Sequence, residues 1–171
     1  MAKDSQQGSG VAVKVIRAPA WRPLRIVTFK KTERRGMMEG VYFYLTLSGL
    51  LTIFLWFPYI IARLFAWGLP GLLHSYPENA PELPAWAQRS QRAHLNMVET
   101  LPALLAVIIP ALALAPSTLS NTLACWMQVF FYARVTHAVV FTLAIPYLRT
   151  PTYLVSWIAI VMIAVHTLRI M

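Results

Sequence analysis

Residues 92 to 115 read Arg-Ala-His-Leu-Asn-Met-Val-Glu-Thr-Leu-Pro-Ala-Leu-Leu-Ala-Val-Ile-Ile-Pro-Ala-Leu-Ala-Leu-Ala, and no charged residue follows Glu99 until Arg134. A helix rises about 1.5 Å per residue and a bilayer core is about 30 Å thick, so roughly 20 apolar residues cross it. This stretch is long enough. In a helix Arg92, Asn96 and Glu99 fall at i, i+4 and i+7 and share one face. A polar face at the head of an apolar helix marks a functional position at the membrane surface.

Working outward, the 171 residues are 58% hydrophobic and only 12% charged, with a mean hydropathy of +0.57. Soluble domains rarely show such values. Four spans are predicted, at about 40–67, 85–115, 118–144 and 150–170. Pro116-Ser117-Thr118 reads as a turn in which Pro stops one helix and Ser or Thr caps the next. Pro151 suits the first turn of the last helix, and Arg169 can snorkel from its far end. Backbone groups in lipid must be paired internally, and the segments lack the strict alternation of barrel strands. The expected fold is therefore an all-α integral membrane protein, a bundle of four transmembrane helices with both termini on one side.

Residues 1–36 are different, holding nine of the fifteen basic residues. They have neither a clean apolar face nor the apolar core of a signal peptide. They read as a disordered basic leader or as an over-extended start ahead of Met37 or Met38, with the membrane domain at 37–171. A membrane-surface or nucleic-acid arm is the lesser reading, and no nucleic-acid partner is expected. Without the leader, six basic and four acidic residues remain. Arg63, Arg89, Arg92 and Arg149 then lie near the loops joining spans 1 to 2 and 3 to 4, so those loops are expected to be cytoplasmic.

Cys125 is the only cysteine, which excludes an intrachain disulfide and predicts a buried, inert thiol. His74, His94, His137 and His166 are too scattered for the common metal signatures, and no metal site is expected. No glycine-rich phosphate loop or exposed-nucleophile motif occurs.

Arg134 lies about a dozen residues before Pro146, deep in the third span. A charge there costs at least about 2.5 kcal/mol on insertion scales and needs a partner. Glu99 is the acidic residue within the spans that can supply one, so spans 2 and 3 are expected to meet there. His137 and Phe141 share the face of Arg134 at i+3 and i+7. Arg63, Arg89, Arg92, His94, Asn96, Glu99, Arg134, His137, Tyr147 and Arg149 gather towards one membrane face. Such a set could be glue between helices. It exceeds the needs of one ion pair, and its excess of cations suits an anionic small molecule bearing carboxylates, which Arg binds bidentately.

Arg92-Ala-His-Leu-Asn-Met-Val-Glu99-Thr-Leu-Pro102 and Ala133-Arg134-Val-Thr-His137 resemble the membrane-associated proteins in eicosanoid and glutathione metabolism, the MAPEG family. Glu78-Asn79-Ala-Pro-Glu-Leu-Pro-Ala-Trp86 and Ile145-Pro-Tyr-Leu-Arg149-Thr150 look like its bacterial branch, related to microsomal glutathione transferases. The resemblance covers about residues 38–171. It implies a homotrimer with glutathione bound between subunits near the cytoplasmic face. It makes Arg92, Asn96 and Glu99 glutathione contacts, with Arg63, Arg134, His137 and Tyr147 contacting or supporting. Glutathione carries two carboxylates for Arg donors and an ammonium for an acid such as Glu99. Its thiol needs a cation or hydroxyl donor to become a thiolate.

Three departures bear on that step. Leu95 stands where some members have another Arg, Phe141 stands where several have Tyr, and Thr150-Pro151-Thr152-Tyr153 stands where prostaglandin-forming members place Arg and Ser. Arg149, Thr152 or Tyr153 is then expected to activate the thiol. The expected function is that of a glutathione transferase or glutathione-dependent peroxidase acting on lipophilic electrophiles, in the cell membrane of a bacterium, surrounded by lipid. The alternative is a non-catalytic membrane scaffold in which the same polar residues hold the helices together. A proton relay would need a polar path across the bilayer, and the stretch from Leu101 to Ala115 offers none.

Overall fold

The computed structural model describes residues 24–73, 80–114 and 120–171. Five helices follow in order: α1 (Leu24–Phe54), α2 (Phe57–Leu73), α3 (Ala85–Leu114), α4 (Ser120–Thr142) and α5 (Arg149–Leu168). Among the described residues four stretches are long and apolar enough to span a membrane: Glu39–Leu73, Ala85–Leu114, Asn121–Thr142 and Arg149–Leu168. The protein is therefore an all-α membrane bundle of four spans. Of the leader, residues 1–23 lie outside the described residues, and α1 begins within the remainder. The Pro116-Ser117-Thr118 turn and His74 also lie outside them.

The first span, read as one helix, is two. The Ser48 hydroxyl donates to the Tyr44 carbonyl and the Thr52 hydroxyl to the Ser48 carbonyl, each at 2.8 Å. Such back-bonding in consecutive turns bends a helix. Pro58 then lacks the N–H that would bind the Phe54 carbonyl. The helix gives way between these two features, at Leu55 and Trp56. Further on, Gly68 takes φ 68 and breaks α2 again, a conformation that glycine adopts without a Cβ clash.

α4 is the central helix, packed against α1, α3 and α5, and α3 also packs on α5. The buried face of α3 runs Ala93, Met97, Thr100, Leu104, Ile108, Ala111, a helical period of three and four. It meets Leu123, Met127 and Phe130 from α4 and Ala159, Ile160 and Ile163 from α5. Small and hydroxylated residues let α5 approach closely: Ser156 and Thr167 are buried with their hydroxyls returned to the Tyr153 and Ile163 carbonyls. Cys125 corrects an expectation, because it is exposed on the outer side of α4. A continuous apolar run hides which face points inward.

Candidate functional site

The site is built on the turn between α4 and α5. The Ile145 N–H reaches the Val140 carbonyl at 3.1 Å and the Ala144 N–H the Phe141 carbonyl at 3.2 Å, with Ala144 at φ 57. This is a Schellman cap with alanine where glycine is usual. Pro146 follows. The Leu148 N–H then bonds the Pro146 carbonyl at 2.8 Å, closing a γ-turn around Tyr147 at φ 65, a strained three-residue turn. It throws the Tyr147 side chain outward, 92% exposed.

α5 opens at Arg149, whose carbonyl lies 3.1 Å from His137 Nδ1 and 3.0 Å from Thr152 Oγ1. A carbonyl only accepts, so Nδ1 of His137 carries the proton of that bond. The Thr152 hydroxyl lies 2.7 Å from the Leu148 carbonyl, so its one proton serves the first turn of α5. The Arg149 guanidinium lies over the Phe141 ring, with Cζ 3.9 Å from the ring centroid.

These residues wall an open groove of about 380 Å³ between α3, α4 and α5, lined by Asn96, His137, Arg149 and Tyr153, with Tyr147 at its edge. Among the described residues no acidic one lines it, and Arg149 gives it a positive charge. Such a surface attracts an anion.

Beneath the groove, Arg134 is 2% exposed. Its Nη1 donates to Asn96 Oδ1 at 2.8 Å, and its Nη2 donates to the Thr100 hydroxyl. The Thr100 hydroxyl in turn donates to the Asn96 carbonyl at 2.7 Å. The rings of Tyr153 and Phe130 lie 5.1 and 5.7 Å from the guanidinium carbon, within cation–π range. The expected Arg134 to Glu99 pair is therefore corrected: helices α3 and α4 do meet at Arg134, through Asn96 and Thr100. The reason is register. The buried face of α3 passes through Met97 and Thr100, and Glu99 falls on the exposed side.

The other expected residues lie outside this groove. Arg92 and Glu99 are exposed on the outer side of α3. Thr152 lines a separate, apolar groove of about 440 Å³ between α4 and α5, with Val129, Tyr132 and Val155. Arg63 on α2 reaches Gln91 Oε1 at 3.3 Å and lies over the rings of Tyr59 and Trp67. Next to it the Tyr59 hydroxyl and His94 Nδ1 are 3.0 Å apart, and Trp67 Nε1 donates to the Pro81 carbonyl at 2.9 Å. Arg89 Nε caps the end of α4 through the Thr142 carbonyl at 3.0 Å. Thr100 was missed from the sequence, though its spacing of four from Asn96 carries the signal. Among the described residues no cluster of His, Cys, Asp or Glu could hold a metal ion.

Four membrane-spanning helices with a groove that carries Arg149 at one end define a multi-pass membrane protein. Residues 41–169 match the model of the MAPEG family, and the chain belongs to that family. No curated protein and no solved structure matches the chain.

Proposed function

We propose that the protein binds glutathione and uses its thiolate against a lipophilic electrophile that arrives from the bilayer. Membership of the MAPEG family supports a membrane role in glutathione or eicosanoid metabolism. The observation that carries the finer reading is the groove: a guanidinium held over a ring, with Asn96, His137 and Tyr153 around it and no carboxylate among the described residues to neutralise it.

In this scheme Arg149 faces the sulfur and Arg63 and Arg92 take carboxylates. Glu99 takes the ammonium. Tyr147 and Tyr153 flank the groove. Asn96 is oriented by Arg134, and His137 holds the carbonyl of Arg149. Arg92, Glu99 and Arg63 lie outside the groove within one chain. A homotrimer, in which a neighbour's α2 and α3 close the groove, brings them to it. Placing Arg63, Arg89, Arg92 and Arg149 on the cytoplasmic side of a bacterial inner membrane satisfies the positive-inside rule.

The chemistry follows from the thiol. Arg149 stabilises the thiolate, and the thiol proton leaves to water at the membrane face. In conjugation the sulfur lone pair forms a C–S bond while the leaving group departs with its bonding pair. With a hydroperoxide the sulfur takes the distal oxygen and the alkoxide is protonated. A second glutathione then gives the disulfide and water. Turnover assays with an aryl halide and with a lipid hydroperoxide, each with and without glutathione, test this. Glutathione-dependent product from either supports it; none from both contradicts it.

A further inference from the structure

We propose that Phe141 is a positioning residue that holds the Arg149 guanidinium with its N–H edge turned to the groove, an inference that rests on the assignment of Arg149 above. The Arg149 backbone is fixed at its carbonyl by His137 and Thr152, at 3.1 and 3.0 Å. Those bonds leave the long side chain free to rotate. Among the described residues the guanidinium makes no hydrogen bond, and its contact is the Phe141 ring, with Cζ 3.9 Å from the centroid. The buried Arg134 lies 5.1 and 5.7 Å from its two rings, so the Arg149 contact is the closest of the cation–ring pairs at this site.

Geometry separates the two uses of a guanidinium. A ring attracts its face, whereas its five N–H donors lie in its plane. Stacking on Phe141 therefore immobilises the cation while leaving every donor available. A carboxylate partner would hold Arg149 as firmly, but it would occupy the donors and cancel the charge. Phe141 is itself steadied by the His137 ring, 5.5 Å away, so the residue that clamps the Arg149 backbone also buttresses the ring beneath its side chain. The hydroxyl of a tyrosine is not needed for this task, and an aliphatic side chain cannot perform it.

The test follows the ultraviolet absorption of the glutathione thiolate bound to the folded, detergent-purified protein across pH, beside calorimetric affinity. The variants are Phe141→Leu, Phe141→Tyr, Arg149→Met and Phe141→Leu with Arg149→Met. Through loss of the cation–π contact, Phe141→Leu is expected to lower the thiolate fraction near neutral pH by roughly three- to tenfold, with affinity held at acid pH, where glutathione binds as the thiol. Phe141→Tyr restores the fraction, and Phe141→Leu adds nothing once Arg149 is gone. The proposal is overturned if Phe141→Leu titrates like the unaltered protein, loses affinity at acid pH along with thiolate, or has its full effect without Arg149. Absence of glutathione binding by the unaltered protein overturns the functional reading itself, and this inference with it.

Discussion

The Arg134 guanidinium is tied to the Asn96 side-chain oxygen across the α3–α4 contact at 2.8 Å. The bond joins a charge to a neutral acceptor in the interior of a membrane bundle. Leaving a buried donor unpaired costs about 1–3 kcal/mol, and more for a charged group. Asn96→Leu should therefore lower the thermal midpoint in detergent more than Asn96→Leu combined with Arg134→Met, which removes both polar partners. Equal losses would show that Arg134 does not depend on Asn96.

The Schellman cap at the end of α4 predicts a stabilising change. Ala144 sits at φ 57, a conformation costing an L-residue roughly 1–2 kcal/mol. Glycine relieves that clash but gains freedom in the unfolded chain. Ala144→Gly should stabilise by about 0.5–1 kcal/mol, checked by the thermal midpoint. A fall in the midpoint would contradict the left-handed cap.

Three residues were candidates for activating the thiol, and their contacts separate them. The Thr152 proton serves the Leu148 carbonyl at 2.7 Å, so Thr152→Val should leave turnover nearly unchanged. Tyr153→Phe keeps the ring that lies 5.1 Å from the Arg134 guanidinium carbon and should do likewise. Arg149→Met removes a charge-assisted bond worth about 1.5–3 kcal/mol and should slow glutathione-dependent turnover by roughly 10- to 100-fold. A large loss in Thr152→Val or Tyr153→Phe alone would reassign the role.

Much of the fold was legible because lipid imposes length and apolarity on each span, as the run from Thr100 to Ala115 shows. The break in the first span was harder to see. It arises from Pro58 together with hydroxyls at Ser48 and Thr52, whose bonds to carbonyls are local and, like a single proline, leave little mark on hydropathy. Arg134 was recognised as needing a partner, but charge complementarity pointed to Glu99. The apolar register of Met97, Leu104 and Ile108 points instead to Thr100 on the buried face. Arg149 was visible as a cation at the membrane face. Its stack on Phe141 was not, because it depends on two left-handed residues in the turn between them.

Calorimetric titration of glutathione into the folded, detergent-purified protein tests the central claim most directly, beside Glu99→Gln and Arg149→Met. Binding by the unaltered protein should weaken by roughly 10-fold or more in each variant, since each loses a charge-assisted contact. No heat of binding to the unaltered protein, or equal affinity in all three, would contradict a glutathione site built on these residues.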